Sequence, residues 1–185
     1  MTDDAFSWPA EAPAYGHVRL RALEDRDVDM VIDLATDSYV PTIGSLPFRA
    51  THRQALDYIA RQRGRLAEGE DFSFCVADRS SDTARGGIGL WLTSSEQGRA
   101  TGGYGVAPSA RGHRVAAQAL TALTAFAWTL PQVHRIELYI EPWNVASIRS
   151  AEAAGFTREG LLRSHQEIAG RRVDMLLYAV IRSQR

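Results

Sequence analysis

The chain has no lysine; all 21 of its basic residues are arginine. A phosphate loop of the Walker type needs a lysine on the outer phosphates, so that class is excluded, and the protein has no lysine side chains of its own to be modified. Cysteine is nearly absent. Cys75 stands alone, which rules out an internal disulfide or a cysteine-based metal cluster and fits a reducing cytoplasm. The chain also lacks any run of about 18 apolar residues. Its first residues, MTDDAFSWPAEAP, lack the apolar core of a signal peptide, so neither secretion nor membrane insertion is expected. No sign of charge dominates: the net charge is −1, which gives no whole-molecule attraction to nucleic acid or to an acidic membrane, and any basic site must be local. No histidine or carboxylate spacing suggests a metal site.

What is present suffices for one hydrophobic core, since 45% of the 185 residues are hydrophobic. One domain over 1–185 is expected, with 1–16 as a loosely ordered lead-in. Residues 17–22 alternate as a first strand. Val28, Val31, Ile32 and Ala35 recur at helical spacing. Thr51 with Gln54 three residues later is a capping box for a second helix, on which Arg61, Arg63 and Arg65 form a solvated side. Strands are expected at 72–77, 87–92, 100–106 and 135–140, and a pair around the turn Ala169-Gly170. Cys75 and His134 read as buried packing residues.

The stretch from Tyr104 to Trp128 is the most informative. A strand ends at Val106, Pro108 and Gly112 force a turn, and a helix without proline or glycine starts near Arg114. A helix start leaves about four backbone N–H groups unpaired and carries roughly half a positive charge, so it is an anion site. Arg111, His113 and Arg114 add charge in the same turn. Gly103-Tyr104-Gly105 lacks the third glycine of a dinucleotide fingerprint. Downstream, Asn144-Val145-Ala146-Ser147 follows a strand and opens a short helix ended by Gly155, with Asn144 a natural N-cap.

VAPSARGHRVAAQAL, followed by HRIELYIEPWNVASIRSAEAAGFTREGLLRSHQEIAGRRVDMLLYAV, resembles the GNAT superfamily of acyl-CoA-dependent N-acyltransferases. Within it the chain is most similar to the ribosomal-protein N-terminal acetyltransferases of the RimJ/RimL type. The resemblance implies a mixed α/β fold: a mostly antiparallel sheet of six to seven strands, a splay between two central parallel strands, and about four flanking helices. It implies acetyl-CoA as co-substrate and no metal. Val106, Arg111, Gly112, His113, Arg114, Val115, Ala116 and Asn144 are then the cofactor-binding residues, with Arg111 to Ala116 on the pyrophosphate and Asn144 on the pantetheine arm. A backbone N–H near Val106 would hold the oxyanion. Arg114 stands where the family usually has glycine. Ser147 is the candidate general acid or thiolate stabiliser, because a tyrosine common one turn later is Ala151 here.

The general base is less legible. Thr101 occupies a strand position where many relatives place a glutamate. Glu141, at the mouth of the splay, is the first choice, with Glu70 and Asp71 next. A peptide α-amino group, with a pKa near 7.7–8.0, is already about a tenth neutral at pH 7, so a weak base or a water relay suffices. Tyr104, Trp91 and Trp143 are candidate walls of the acceptor pocket. The expected reaction is acetyl transfer to a primary amine, foremost the α-amino group of a protein or peptide. The alternatives are acylation of a small amine such as an antibiotic or polyamine, and a non-catalytic CoA-binding sensor. No direct nucleic-acid or membrane partner is expected, and the protein would be a monomer or homodimer.

Overall fold

The computed structural model describes residues 7–68, 71–92 and 94–183. Its centre is one eight-stranded sheet, built in chain order from β1 (Ala14–Tyr15), β2 (Val18–Arg21), β3 (Asp71–Asp78), β4 (Ala84–Trp91), β5 (Arg99–Val106), β6 (Arg135–Ile140), β7 (Thr157–Ile168) and β8 (Arg171–Ile181). The spatial order is β1-β2-β3-β4-β5-β6-β8-β7. Among the described residues five α-helices flank it: α1 (Val28–Leu34), α2 (Val40–Ile43), α3 (His52–Gly64), α4 (Val115–Ala127) and α5 (Val145–Ala153). The sheet has one strand more than expected and the molecule one helix more. Both additions are short: β1 has two exposed residues and shows no alternation, and α2 is a four-residue turn whose Pro41 reads as a breaker in sequence.

Strand β3 is buried on both faces. Phe72, Phe74 and Val76 of β3 join the core beneath α4, while Cys75 and Ala77 point into the second core beneath α1 and α3. This explains why β3 reads as a near-continuous apolar run. Phe126 of α4 meets Phe72 edge-on at 4.8 Å between ring centres, a burial worth about 1.5–3 kcal/mol. Both bonds of the Thr51–Gln54 capping box form at the start of α3.

Several local expectations change. Arg65 is not on a solvated face: its guanidinium holds the buried Asp71 carboxylate at 2.7 Å. His134 is exposed rather than packed inside, lying over Gly98. Cys75 is fully buried, and burial pushes its thiol up to about 12, so it is inert. Of the expected loose lead-in, residues from Trp8 onward are held in place: the Trp8 ring lies 4.7 Å from that of Phe74, and Leu20 N donates to Pro13 O at 2.7 Å.

The feature that positions the site is the one parallel pairing. β5 and β6 pair only over Arg99–Thr101 with Arg135–Glu137, whereas every other neighbouring pair is antiparallel. Beyond Thr101, β5 follows β4 up to Val106 and β6 follows β8 up to Ile140. The two strands therefore separate, and the facing backbone groups lose each other as partners.

Candidate active site

A cavity of about 530 Å³ fills this gap. Gly102 to Val106 of β5 and Leu138 to Ile140 of β6 line it, together with the starts of α4 and α5 and with Asp37 to Val40 and Ile43. The volume falls in the range of small-molecule and cofactor sites.

The turn between β5 and α4 is built as the sequence suggests, with one surprise. Gly112 takes a left-handed conformation, φ +86°, with nothing near a would-be side chain. Arg114, the N-cap of α4, is left-handed too, at φ +57°. An arginine thus adopts the backbone shape for which glycine is the easy choice, at a cost of roughly 1–2 kcal/mol. The backbone path of the turn is kept. Its guanidinium is exposed, with no hydrogen bond or ion pair among the described residues. Arg111 differs: its Nη2 bonds Asp37 Oδ2 at 2.6 Å and its Nε donates to Val106 O at 3.2 Å. The two arginines of the motif therefore have different situations, one committed and one free. Val106, Arg111, Gly112, Arg114, Val115 and Ala116 line the cavity; His113, exposed in the same turn, does not.

Two carboxylates absent from the sequence reading hold this turn against the α1–α2 segment. Asp33 Oδ2 accepts from Ser109 N at 3.1 Å and from Ser109 Oγ at 2.6 Å. Asp37 Oδ1 caps α2 by accepting from Tyr39 N at 2.7 Å and Val40 N at 2.8 Å, while Oδ2 takes Arg111. Burial would raise the Asp37 carboxyl, but the Val40 amide, the Arg111 guanidinium and the Tyr39 amide outweigh it and hold it below its ordinary range. Partners so distant in sequence leave no local signal.

On α5, Asn144 Oδ1 accepts from Ser147 N at 3.1 Å, the N-cap bond, and both residues line the cavity. Asn144 is the only asparagine in the chain. Tyr104 was expected to wall the acceptor pocket. It lines the cavity, but its hydroxyl crosses the splay to donate to Ser147 O at 3.2 Å, on the α4–α5 side of the sheet. Trp91 is outside the cavity and covers Gly103, where an added Cβ would sit 2.6 Å from its ring. Trp143 is at the mouth, 59% exposed, with its ring edge-on to Tyr39 at 4.8 Å.

The base candidates separate as well. Glu141 is buried and outside the cavity lining, beside the Tyr39 hydroxyl, whose pKa rises through burial and then through that carboxylate. Asp71 is committed to Arg65 on the far part of the sheet. Glu70 lies outside the described residues. Thr101 pairs with Glu137, a buried carboxylate the sequence reading did not single out. Among the described residues no group of acidic, histidine or cysteine side chains could hold a metal ion, and no helix is long and apolar enough to cross a membrane.

A strand pair that parts around a cavity, with a glycine-bearing turn and two helix starts aimed into it, defines an acyl-CoA-dependent transferase fold. The family description "Acetyltransferase (GNAT) domain" matches residues 17–157, and the chain belongs to this family of acetyltransferases. An uncharacterized N-acetyltransferase p20 from Bacillus licheniformis is 27% identical over 165 residues, covering 89% of this chain and 93% of that one. Mycobacterium smegmatis RimJ, solved in complex with a CoA disulfide, superposes with a TM-score of 0.76 at 26% identity, covering 92% of this chain and 84% of that one. A spermidine N-acetyltransferase SpeG chimera from Vibrio cholerae and hSSAT superposes with a TM-score of 0.69 at 19% identity, covering 90% and 96% of the two chains. Both structures are thus similar to this chain in fold, and of the two only the SpeG chimera is named for its acceptor, spermidine.

Proposed function

We propose that the protein transfers the acetyl group of acetyl-CoA to a primary amine, foremost the α-amino group of a protein or peptide. The observation that carries this is the cavity between β5 and β6, onto which the starts of α4 and α5 both open. The residues present fit the cofactor: the α4 start offers unpaired N–H groups, Gly112 leaves open space, and Arg114 supplies an uncommitted positive charge for the pyrophosphate. Acetyl-CoA supplies the activated acyl group. Backbone groups of β5 near Val106 face the reacting carbonyl, Asn144 borders the pantetheine arm, and Ser147 Oγ–H donates to the departing sulfur. The amine nitrogen forms the new bond to the acyl carbon as the carbon–sulfur bond breaks, and the amine proton passes to water.

The α-amino reading fits a cavity without an uncommitted carboxylate in its lining. The one carboxylate there, Asp37, is bound by Arg111 and two amides. An α-amine supplies a useful neutral fraction at pH 7 without a strong base, whereas a lysine amine near pKa 10.4 does not. Steady-state thiol release with acetyl-CoA tests it: peptides beginning Ala, Ser or Thr should turn over, and lysine peptides and polyamines should not. Turnover on polyamines alone would move the acceptor to the small-amine class, as in the SpeG relative.

A further inference from the structure

The register of the parallel pair puts a carboxylate beside the position where β5 has none. Thr101 faces Glu137 across the last β5–β6 pairing. Glu137 is 7% exposed. Its Oε1 accepts from Arg135 Nε at 2.6 Å, and its Oε2 accepts from the Tyr139 hydroxyl at 2.8 Å. Arg135 is itself held by Glu159, with Nη1 to Oε1 at 2.8 Å. Tyr139 lines the cavity just beyond the point where the strands part, and its ring stacks on His165 at 4.8 Å.

A tyrosine hydroxyl has one proton to donate and lone pairs with which to accept. Here the proton is committed. Burial would favour the neutral form of Glu137, but the Arg135 and Tyr139 bonds outweigh it and keep the carboxyl below its usual range, so at neutral pH it only accepts. Tyr139, a lining residue of the cavity, thus keeps only lone pairs for any further hydrogen bond. Lone pairs bind an N–H donor, and they repel a thiolate or a carbonyl oxygen. The Tyr39 hydroxyl likewise has a carboxylate beside it, Glu141 just past the end of β6, which raises its pKa after burial does.

We propose that Tyr139 is the hydrogen-bond acceptor that holds the attacking amine, and that Glu137 is the positioning residue that fixes the direction of its O–H. This rests on the amine-acetylation reading above. Glu137 itself does not take the amine proton: both its oxygens are engaged, one by a guanidinium that disfavours protonation.

The test uses the full chain, saturating acetyl-CoA, and both a serine-initiated peptide and spermidine as probes. Y139F should raise the amine KM about tenfold, the effect of one lost hydrogen bond to a polar or charged group, while its acetyl-CoA affinity by calorimetry stays within twofold of the unaltered protein. E137Q, whose amide can donate to Tyr139 and so reverse the hydroxyl, should raise the same KM by a similar factor. The Y139F/E137Q double variant should be no worse than Y139F alone, because Glu137 acts through Tyr139. An amine KM in Y139F within twofold of the unaltered protein overturns the inference, as does a further fall in kcat when E137Q is added to Y139F. If the unaltered protein turns over neither amine, the acetylation reading fails and this inference with it; turnover with an unchanged KM in Y139F overturns the inference alone.

Discussion

The Arg111 guanidinium lies 2.6 Å from the Asp37 carboxylate, joining the turn before α4 to the segment that opens α2. One motif arginine is thereby a brace between two walls of the cavity, and the proposed attraction for phosphate is assigned to Arg114. Arg114→Ala should weaken CoA binding a few-fold to about tenfold, more at low salt, where screening is least. Arg111→Ala should lower the thermal midpoint as well, Asp37→Ala should reproduce that loss, and the double variant should add little to either. Additive losses in the double variant would show that the two side chains act separately.

The same pair sets a pH dependence. Asp37 has a folded-state pKa below its ordinary value, so its stabilising contribution is fully present above about pH 4 and is lost as pH falls through the lower folded value. The difference in thermal midpoint between the unaltered protein and Asp37→Asn should be constant from pH 7 to about 5 and shrink below about 4. A difference that grows on acidification would contradict the assignment.

Asn144 and Ser147 are linked by the N-cap bond, and the proposed function gives them different tasks. Asn144→Ala should cost about 1 kcal/mol of stability, which is roughly 2–4 °C in a chain of this size, and Asn144→Asp should restore most of it. Ser147→Ala leaves the cap untouched, so its stability and CoA affinity should stay near those of the unaltered protein while kcat falls about tenfold or more. An unchanged kcat removes Ser147 from the chemistry.

Gly86 lies opposite Val106 on β4, and a Cβ there would collide with the Gly105 carbonyl oxygen. Gly86→Ala must push β5 away where its strand end borders the cavity. A destabilisation of about 1–3 kcal/mol is expected in chemical denaturation, with weaker CoA binding. Gly160→Ala, with nothing within 4 Å of the added atom, is the control that should change neither.

Patterns carried within a segment were legible in sequence. The Thr51–Gln54 box, the strand at 135–140 and the turn before Arg114 each depend on neighbours a few residues away, and each forms, although burial along the strand does not alternate because Glu137 is buried as well. Relations between distant segments were not. The Asp37–Arg111 pair spans 74 residues, the Thr101–Glu137 register depends on where a parallel pairing stops, and Glu141 turns to Tyr39 rather than to the cavity. Burial on both faces also hid which aromatic would line the site. Trp91 covers a glycine of the next strand while Tyr139, an alternating position in an ordinary strand, reaches the cavity.

The most direct measurement is steady-state release of CoA thiol from acetyl-CoA with a peptide beginning Ser, Ala or Thr, alongside an N-terminally blocked copy of the same peptide. The account predicts turnover on the free N-terminus, a mass gain of one acetyl group there, and none on the blocked copy. Tight CoA binding with no turnover on any amine would contradict it and leave a CoA-binding protein without transfer chemistry.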